Sequence, residues 1–73
     1  MGIALVTGAT GNVGNAIARA LLAEGRAVRA LVRDPERARP LLPSACELVR
    51  GDVTAPETLA PALRDVEVVF HAA

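Results

Sequence analysis

Residues 3–14 read IALVTGATGNVG, and this stretch decides the fold of the 73-residue chain. Ile3 to Val6 form a continuously apolar run, as expected for a strand that is covered on both faces. Thr7 to Asn12 predict a turn, and from Val13 onward the apolar residues recur at the spacing of an amphipathic helix. The predicted apolar stripe of this helix consists of Val13, Ala16, Ile17, Ala20 and Leu21. A buried strand, a glycine-rich turn and a helix in this order begin a fold of alternating strands and helices.

Three glycines give this turn its predicted function. Gly8 allows the tight turn, Gly11 lets a pyrophosphate approach the backbone, and Gly14 permits close packing of the helix on the strand. The free amides of Gly11, Asn12 and Val13 are expected to point at the ligand, whose negative charge the helix dipole favours. In this context the glycines predict a dinucleotide-binding site, with a structural turn that binds no ligand as the alternative. The candidate residues of the loop are Gly8, Thr10, Gly11, Asn12, Val13 and Gly14.

The rest of the chain continues the alternation of strands and helices. Further strands are predicted at 27–32, 47–49 and 66–70. A short helix begins at Pro35, and a third helix runs from a Thr54 cap to about Arg64, kinked or split at Pro61. This order predicts an α/β protein, a partial Rossmann fold whose parallel sheet has the strand order 3-2-1-4. Two helices then cover one face of the sheet and the third covers the other, while strand four is an open apolar edge suited to self-association.

The composition argues against several other functions. Eight basic and eight acidic residues give a formal net charge of zero, which disfavours nucleic-acid binding. No apolar run approaches the ~20 residues that span a bilayer, and no basic region precedes the first apolar stretch as in a signal peptide. Cys46 is the single cysteine, so it forms no internal disulfide, and no zinc-binding pattern is present. We therefore expect a cytoplasmic chain without a membrane or metal partner, in which Cys46 is a small buried apolar group.

Two missing residue types limit the chemistry. The sequence has no tyrosine, and all eight of its basic residues are arginines, so lysine is absent. A mechanism that needs tyrosine or lysine as acid, base or nucleophile cannot be carried by these residues alone. A Walker phosphate loop also requires lysine, which excludes that class of site. We nominate no catalytic residue in this chain.

Arg33, directly after the second predicted strand, bears on the choice of cofactor. An acidic residue there binds the adenosine ribose of NAD, whereas an arginine accommodates the 2′-phosphate of NADP. We predict NADP, with two alternatives: a solvated Arg33 paired with Asp34 or Glu36, and an inward-turned Asp34 that favours NAD. The remaining arginines are predicted to be surface charges, with Arg29 or Arg37 as an additional group at the phosphate: Arg19, Arg26, Arg29, Arg37, Arg39, Arg50 and Arg64.

Three segments together resemble a known family. Thr7 to Gly14, Gly51-Asp52-Val53 and Val69-Phe70-His71-Ala72-Ala73 are similar to the opening of an extended or atypical short-chain dehydrogenase/reductase. The nearest likeness is to NAD(P)-dependent epimerase/dehydratases and dihydroflavonol-reductase-like enzymes. It covers essentially the whole chain and is specific for the superfamily rather than for one activity.

The resemblance implies roles for residues after the third and fourth strands. Asp52 would accept a hydrogen bond from the adenine amino group and Val53 would line the adenine pocket, with an Asp52 that caps the next turn as the alternative. Ala72 and Ala73 would let the cofactor ribose and phosphates lie against the backbone. His71 is predicted to be a packed, hydrogen-bonded residue rather than a catalytic base.

The chain departs from the family at its catalytic centre. Such enzymes use a Tyr-x-x-x-Lys pair with a nearby Ser or Thr after strand four, and neither tyrosine nor lysine occurs here. Residues 1–73 are therefore expected to be a dinucleotide-binding half-domain that lacks the catalytic and substrate part. The implied function is the NADP(H)-binding N-terminal part of a short-chain oxidoreductase or sugar-nucleotide epimerase/dehydratase. The alternatives are a non-catalytic NAD(P)-sensing or interaction module and an inactive fragment.

Overall fold

The computed structural model describes residues 2–72 and contains one four-stranded sheet in which every strand pair is parallel. The strands are β1 (Ile3–Thr7), β2 (Val28–Val32), β3 (Glu47–Arg50) and β4 (Val66–His71). The α-helices are α1 (Asn12–Ala23), α2 (Pro35–Ala38) and α3 (Leu59–Ala62), and short 3₁₀ turns span Arg39–Leu41 and Pro56–Thr58. The strand order β3-β2-β1-β4 confirms the predicted Rossmann-like topology.

The sheet has a thickly covered first face and a thinly covered second face. Helices α1 and α2 pack on the first face, where the buried core consists of Val6, Ala9, Ala18, Val28, Ala30, Val32, Ala38, Leu42 and Cys46. Helix α3 packs on the second face, where the buried cluster consists of Leu5, Leu31 and Ala62. The prediction of two helices on one face and one on the other is confirmed, and Cys46 is buried as expected.

Helix α1 presents only part of the predicted stripe to the sheet: Ile17 and Leu21 pack against the core of the first face, but the other three residues do not. Its buried residues are Gly14 and Ala18, whereas Val13 is 65% exposed and Ala16 and Ala20 are also exposed. The small residues face inward because the helix approaches the preceding turn so closely that a Cβ on Gly14 would lie 2.1 Å from the Gly8 carbonyl oxygen. Hydrophobicity alone therefore identified Ile17 and Leu21 but missed Gly14 and Ala18, the small residues at the closest approach.

A glycine follows the C-terminal end of α1. Gly25 has φ +82, in the left-handed region that glycine adopts without strain. Its amide donates to the Leu22 carbonyl at 3.0 Å, and the Arg26 amide donates to the Leu21 carbonyl at 3.0 Å. These two bonds form a Schellman motif, which satisfies carbonyls at the end of the helix and turns the chain into β2.

The third helix is shorter than predicted and is divided in two. A 3₁₀ turn at Pro56–Thr58 precedes α3, so the division lies before Leu59 and not at Pro61 as predicted, and the proposed Thr54 cap is also wrong. Ala55 holds the cap position, because the Thr54 amide and hydroxyl both donate to the Asp52 carboxylate. Pro61 is tolerated as the third residue of α3, since the amides of the first turn have no acceptor within a helix.

Strand β4 contains a bulge that lets it serve both faces. Ile3 pairs with Val66 but Ala4 pairs with Val68, so Glu67 is the extra residue. Val66 consequently packs on the second face and Phe70 on the first. Gly2 lies beside the bulge, where a Cβ would come within 2.5 Å of the Glu67 Cβ. As the outer strand, β4 leaves Val69 47% exposed.

Arg29 is buried, contrary to its predicted place on the surface or at a phosphate. It is the second residue of β2, is 7% exposed and points to the second face. Its Nη1 donates to the carbonyls of Ala62 at 2.7 Å and Arg64 at 2.8 Å, and its Nε donates to Glu47 at 2.9 Å. Arg29 therefore attaches the end of α3 to the sheet. Within residues 2–72, no helix has the length and apolar character needed to cross a membrane.

Candidate dinucleotide-binding site

A cleft of about 370 Å³ opens at the carboxyl ends of β1, β2 and β3. Ligands of open parallel sheets bind at this edge, next to the point where the strand order reverses. The predicted site residues that line the cleft are Gly8, Thr10, Arg33, Asp52 and Val53. The other predicted residues, Gly11, Asn12, Val13, Gly14 and Ala72, lie at the start of α1 or at the end of β4.

The loop between β1 and α1 leaves part of the helix start open. Gly8 has φ +70, which explains the glycine at the turn. The Gly11 amide donates to the Gly8 carbonyl at 3.1 Å, so the expectation that this amide is free is wrong. The first helical bond runs from the Asn15 amide to the Gly11 carbonyl, which leaves the amides of Asn12 and Val13 without an acceptor in the helix. In the part of the chain that the structure describes, no side chain caps α1, and its start is free to receive an anion.

Gly11 and Gly14 differ in what they do for the chain. A Cβ on Gly14 would clash with backbone atoms of Gly8 and Ala9, so Gly14 is required for the helix to approach the turn. A Cβ on Gly11 would meet only the Gly8 carbonyl oxygen, at the ordinary distance of 3.4 Å. The folded chain therefore does not need glycine at position 11. A side chain there would instead occupy space beside the helix start, which is the space that a diphosphate would need.

Arg33 extends from the end of β2 along the cleft, and its side chain is 83% exposed. Its Nε lies 3.8 Å from Asp52 Oδ2, so its ion-pair partner is neither Asp34 nor Glu36. Asp34 also lines the cleft, but its carboxylate caps α2 by accepting from the Arg37 amide at 3.4 Å. Arg37 adds a second guanidinium to the same wall.

Asp52 is held by the turn that follows β3. Its Oδ1 accepts from the Thr54 amide at 2.9 Å and from the Thr54 hydroxyl at 2.7 Å, which is the turn-capping arrangement considered above. These two hydrogen bonds hold the pKa of Asp52 below its ordinary value, with a smaller contribution from Arg33. Oδ2 faces Arg33. Asp52 is therefore a fixed, ionised group at the rim of the cleft.

Apolar side chains complete the cleft. Val53 and Leu41 both line it and are exposed, so they offer an apolar surface for a flat ring. Sequence reasoning missed Leu41, which reaches the cleft because the 3₁₀ turn at Arg39–Leu41 continues the chain beyond α2. The signal in the sequence that could have identified Leu41 is its position as an apolar residue directly after Pro40.

The end of β4 lies next to the end of β1. The Ala72 amide donates to the Thr7 carbonyl at 3.2 Å, and the Thr7 hydroxyl shares a hydrogen bond with His71 Nδ1. His71 is thus hydrogen-bonded as predicted, but it is exposed rather than packed. Ala73 lies outside the described residues.

The residues that are present fit the adenosine half of a dinucleotide. The uncapped helix start and the space beside Gly11 suit a diphosphate, Arg33 and Arg37 supply positive charge, and the cleft volume lies within the range of small-molecule sites. Within residues 2–72, no group of three or more metal-binding side chains is found.

Comparisons with known proteins agree with this geometry. A family model described as NAD(P)H-binding matches residues 8–73. The photosystem II assembly factor Ycf39 of Cyanophora paradoxa is 45% identical over 66 residues, which cover 90% of this chain and 21% of that protein. The chain thus spans about a fifth of the length of the curated relatives it matches.

Two solved structures are similar over nearly the whole chain. AtPrR2 with NADP⁺ and (+)-pinoresinol has a TM-score of 0.81 at 34% identity, covering 99% of this chain and 26% of that one. A short-chain dehydrogenase/reductase superfamily protein from Agrobacterium tumefaciens with bound NAD has a TM-score of 0.77 at 32% identity, covering 97% of this chain and 20% of that one. Both cofactors therefore occur among structural neighbours.

Proposed function

Since the chain belongs to the NAD(P)H-binding family, we propose that residues 1–73 are the NADP(H)-binding half-domain of a short-chain oxidoreductase or sugar-nucleotide epimerase/dehydratase. One observation carries this proposal: the loop that leads into the uncapped start of α1 and the exposed Arg33 both line one cleft at the carboxyl edge of the sheet. The cofactor, when bound, supplies hydride chemistry. The 73 residues contain neither tyrosine nor lysine, so they supply no Tyr–Lys acid/base pair for that chemistry.

The diphosphate is proposed to lie against the loop of residues 8–14. The amides of Asn12 and Val13 donate to its oxygens, and the partial positive charge of the helix start stabilises its anionic form. Gly8 shapes the turn, Thr10 lines the cleft beside it, and Gly11 leaves room for the phosphate atoms. Gly14 acts indirectly by holding the helix against the turn. Ala72 is proposed to let the remainder of the cofactor pass along the backbone at the end of β4.

The adenosine is proposed to occupy the cleft between the ends of β2 and β3. Val53 packs against the ring, Asp52 lies at its polar edge, and Arg33 binds the 2′-phosphate that distinguishes NADP from NAD. The capping role of Asp34 supports this preference, because a carboxylate engaged by α2 is less suited to bind the ribose hydroxyls of NAD.

The charge, the single cysteine and the open edge of β4 also suggest which partners and which compartment this chain has. A net charge of zero supports a nucleotide cofactor rather than a nucleic acid as partner. We propose the reducing cytoplasm as the compartment, since the single cysteine is free and buried. The open edge of β4, where Val69 is half exposed, is proposed as the surface for self-association.

Calorimetric titration of the chain with NADPH and NADH tests the proposal. We expect tighter binding of NADPH, and Arg33→Ser should reduce that affinity roughly 10- to 100-fold, the value of charge-assisted hydrogen bonds to a phosphate. Arg50→Ser is the matched control, because Arg50 is an exposed arginine at the end of the neighbouring strand and should leave affinity unchanged. Absence of saturable heat with either nucleotide would reject the proposal.

Gly11→Ala separates ligand binding from folding. The Cβ meets only one ordinary contact in the chain, so the melting temperature without ligand should match that of the unmodified protein. Nucleotide affinity should fall, because the methyl group occupies space beside the diphosphate. Equal affinity in the variant would place the diphosphate elsewhere.

A second candidate is a non-catalytic nucleotide-sensing or interaction module. The 45% identity to a protein named as an assembly factor favours it, as does the lack of a Tyr–Lys pair. It predicts nucleotide binding together with a protein partner on β4. An inactive, poorly folded fragment would instead show neither binding nor a cooperative melt, and a sharp melt without ligand would reject that reading.

A further inference from the structure

We propose that Asp52 positions Arg33 for the 2′-phosphate of NADP, so that Asp52 contributes to the discrimination between NADP and NAD. This inference rests on the proposed function and refines the role of one residue within it. The observation that carries it is an ionised carboxylate, fixed by its own turn, that faces the Nε edge of the proposed phosphate-binding arginine.

The backbone first brings the two residues together. Val32 pairs with Arg50 at the ends of β2 and β3, and the Gly51 amide donates to the Val32 carbonyl at 2.9 Å. Arg33 directly follows Val32, and Asp52 directly follows Gly51. Their main-chain positions are therefore set by the sheet, and the side chains need only span the gap between two adjacent strand ends.

The two carboxylate oxygens of Asp52 have different partners, Thr54 for one and Arg33 for the other. Two hydrogen bonds from Thr54 hold Oδ1, which fixes the plane of the carboxylate. The remaining oxygen, Oδ2, lies 3.8 Å from Arg33 Nε. The same Thr54 bonds lower the pKa of Asp52, so the carboxylate is charged at neutral pH.

The guanidinium geometry allows both interactions at once. Arginine presents its donors in a planar fork, with Nε on one edge and two terminal nitrogens free to bind a phosphate bidentately. The Arg33 side chain is otherwise exposed and rich in rotamers, and ordering such a side chain opposes binding. A partner on the Nε edge restricts the arginine before the ligand arrives and leaves its phosphate-binding edge open.

An adenine contact by Asp52 makes a different prediction. Both NADPH and NADH carry adenine, so loss of that contact would weaken the two equally. Loss of a positioning partner for Arg33 would weaken NADPH more than NADH, because only NADPH carries the 2′-phosphate. The two roles are therefore separated by the ratio of the affinities.

Calorimetric titration of the 73-residue chain and its Asp52→Asn variant with NADPH and NADH is the test. Asparagine retains an oxygen that can accept from Thr54 but loses the charge that faces Arg33. We expect the NADPH affinity to fall roughly two- to fivefold, the range of an exposed ion pair, and the NADH affinity to change less. Glu57→Gln removes one exposed carboxylate outside the cleft lining and should leave the ratio of affinities unchanged.

A double-variant cycle sharpens the result. In an Arg33→Ser background, Asp52→Asn should have no further effect on NADPH, since no arginine remains to be positioned. Equal losses for the two nucleotides, an additive effect in the cycle, or tighter NADPH binding by Asp52→Asn would overturn the inference while leaving the proposed function intact. Lack of NADPH binding by the unmodified chain would overturn both.

Discussion

The two faces of the sheet are held by different means. On the first face, nine of the described residues form a buried apolar core beneath α1 and α2. On the second face, only three buried residues form the cluster beneath α3, and a buried arginine completes the attachment. The comparison teaches that a short helix with little apolar surface can be fastened to a sheet by hydrogen bonds to its last carbonyls.

Arg29→Ala should produce the largest effect, and it should fall on the second face. The variant leaves the carbonyls of Ala62 and Arg64 without their donor, at a cost of about 3 kcal/mol in the free energy of unfolding. Urea unfolding gives the magnitude, and amide hydrogen exchange should show faster exchange around α3 than around α1. Arg50→Ala serves as the exposed-arginine control and should stay within about 0.5 kcal/mol. A uniform loss of protection across both faces would contradict the local role of Arg29.

Two valines on adjacent strands should show the next largest difference. Val6 is fully buried in the first-face core, so Val6→Ala should cost about 2 kcal/mol through lost burial and the cavity left behind. Val69 is on the open strand and lies on the second face, and Val69→Ala should cost less than about 0.5 kcal/mol. Urea unfolding measures both. A large effect at Val69 would mean that β4 is covered in solution, for example by a second copy of the chain.

The smallest effect should be the pH dependence that Cys46 gives the first face. Burial raises the pKa of its thiol, so the unfolded chain ionises first as the pH rises. Stability is then complete below the ordinary thiol pKa of about 8.5 and falls above it, with a slope of at most about 1.4 kcal/mol per pH unit. The sequence has no lysine and no tyrosine, so no other side chain titrates between the thiol and the arginines. Thermal melts from pH 7 to pH 10 should decline for the natural chain and stay nearly level for Cys46→Ala. An equal decline of the melting temperature in both proteins would mean that a group other than Cys46 causes the pH dependence.

Much of the fold could be predicted because its rules are local. Strict alternation of short apolar runs and helical segments leaves few topologies, and the observed strand order is the expected one. Arg29 was missed because an arginine between apolar residues normally indicates a solvent-facing position. Its partners are carbonyls more than 30 residues away in sequence, which no local pattern reveals. The available clue was position: a central strand is covered on both faces, so a charged residue within it must be buried and bonded.

In the candidate site, too, some features could be predicted from the sequence and others could not. Arg33, Asp52 and Val53 follow strand ends directly, and parallel strands bring such residues to one edge, so their meeting at the cleft could be predicted. Leu41 depends on a 3₁₀ turn, and the hold of Thr54 on Asp52 depends on a turn conformation. Neither is encoded in a short motif. The stripe of α1 was predicted correctly at Ile17 and Leu21 but not at Gly14 and Ala18, because the close approach at Gly14 depends on small size rather than on hydrophobicity.

Because of the bulge at Glu67, strand β4 contributes side chains to the layers on both faces of the sheet. Val66 and Phe70 contribute to opposite faces of the sheet only because one additional residue reverses the alternation between them. If β4 paired regularly with β1 and had no bulge, the valine and the phenylalanine, four residues apart, would lie on the same side and leave one layer without its outer wall. The two layers thus each receive an apolar side chain from the same outer strand, so β4 closes both sides of the sheet at this edge.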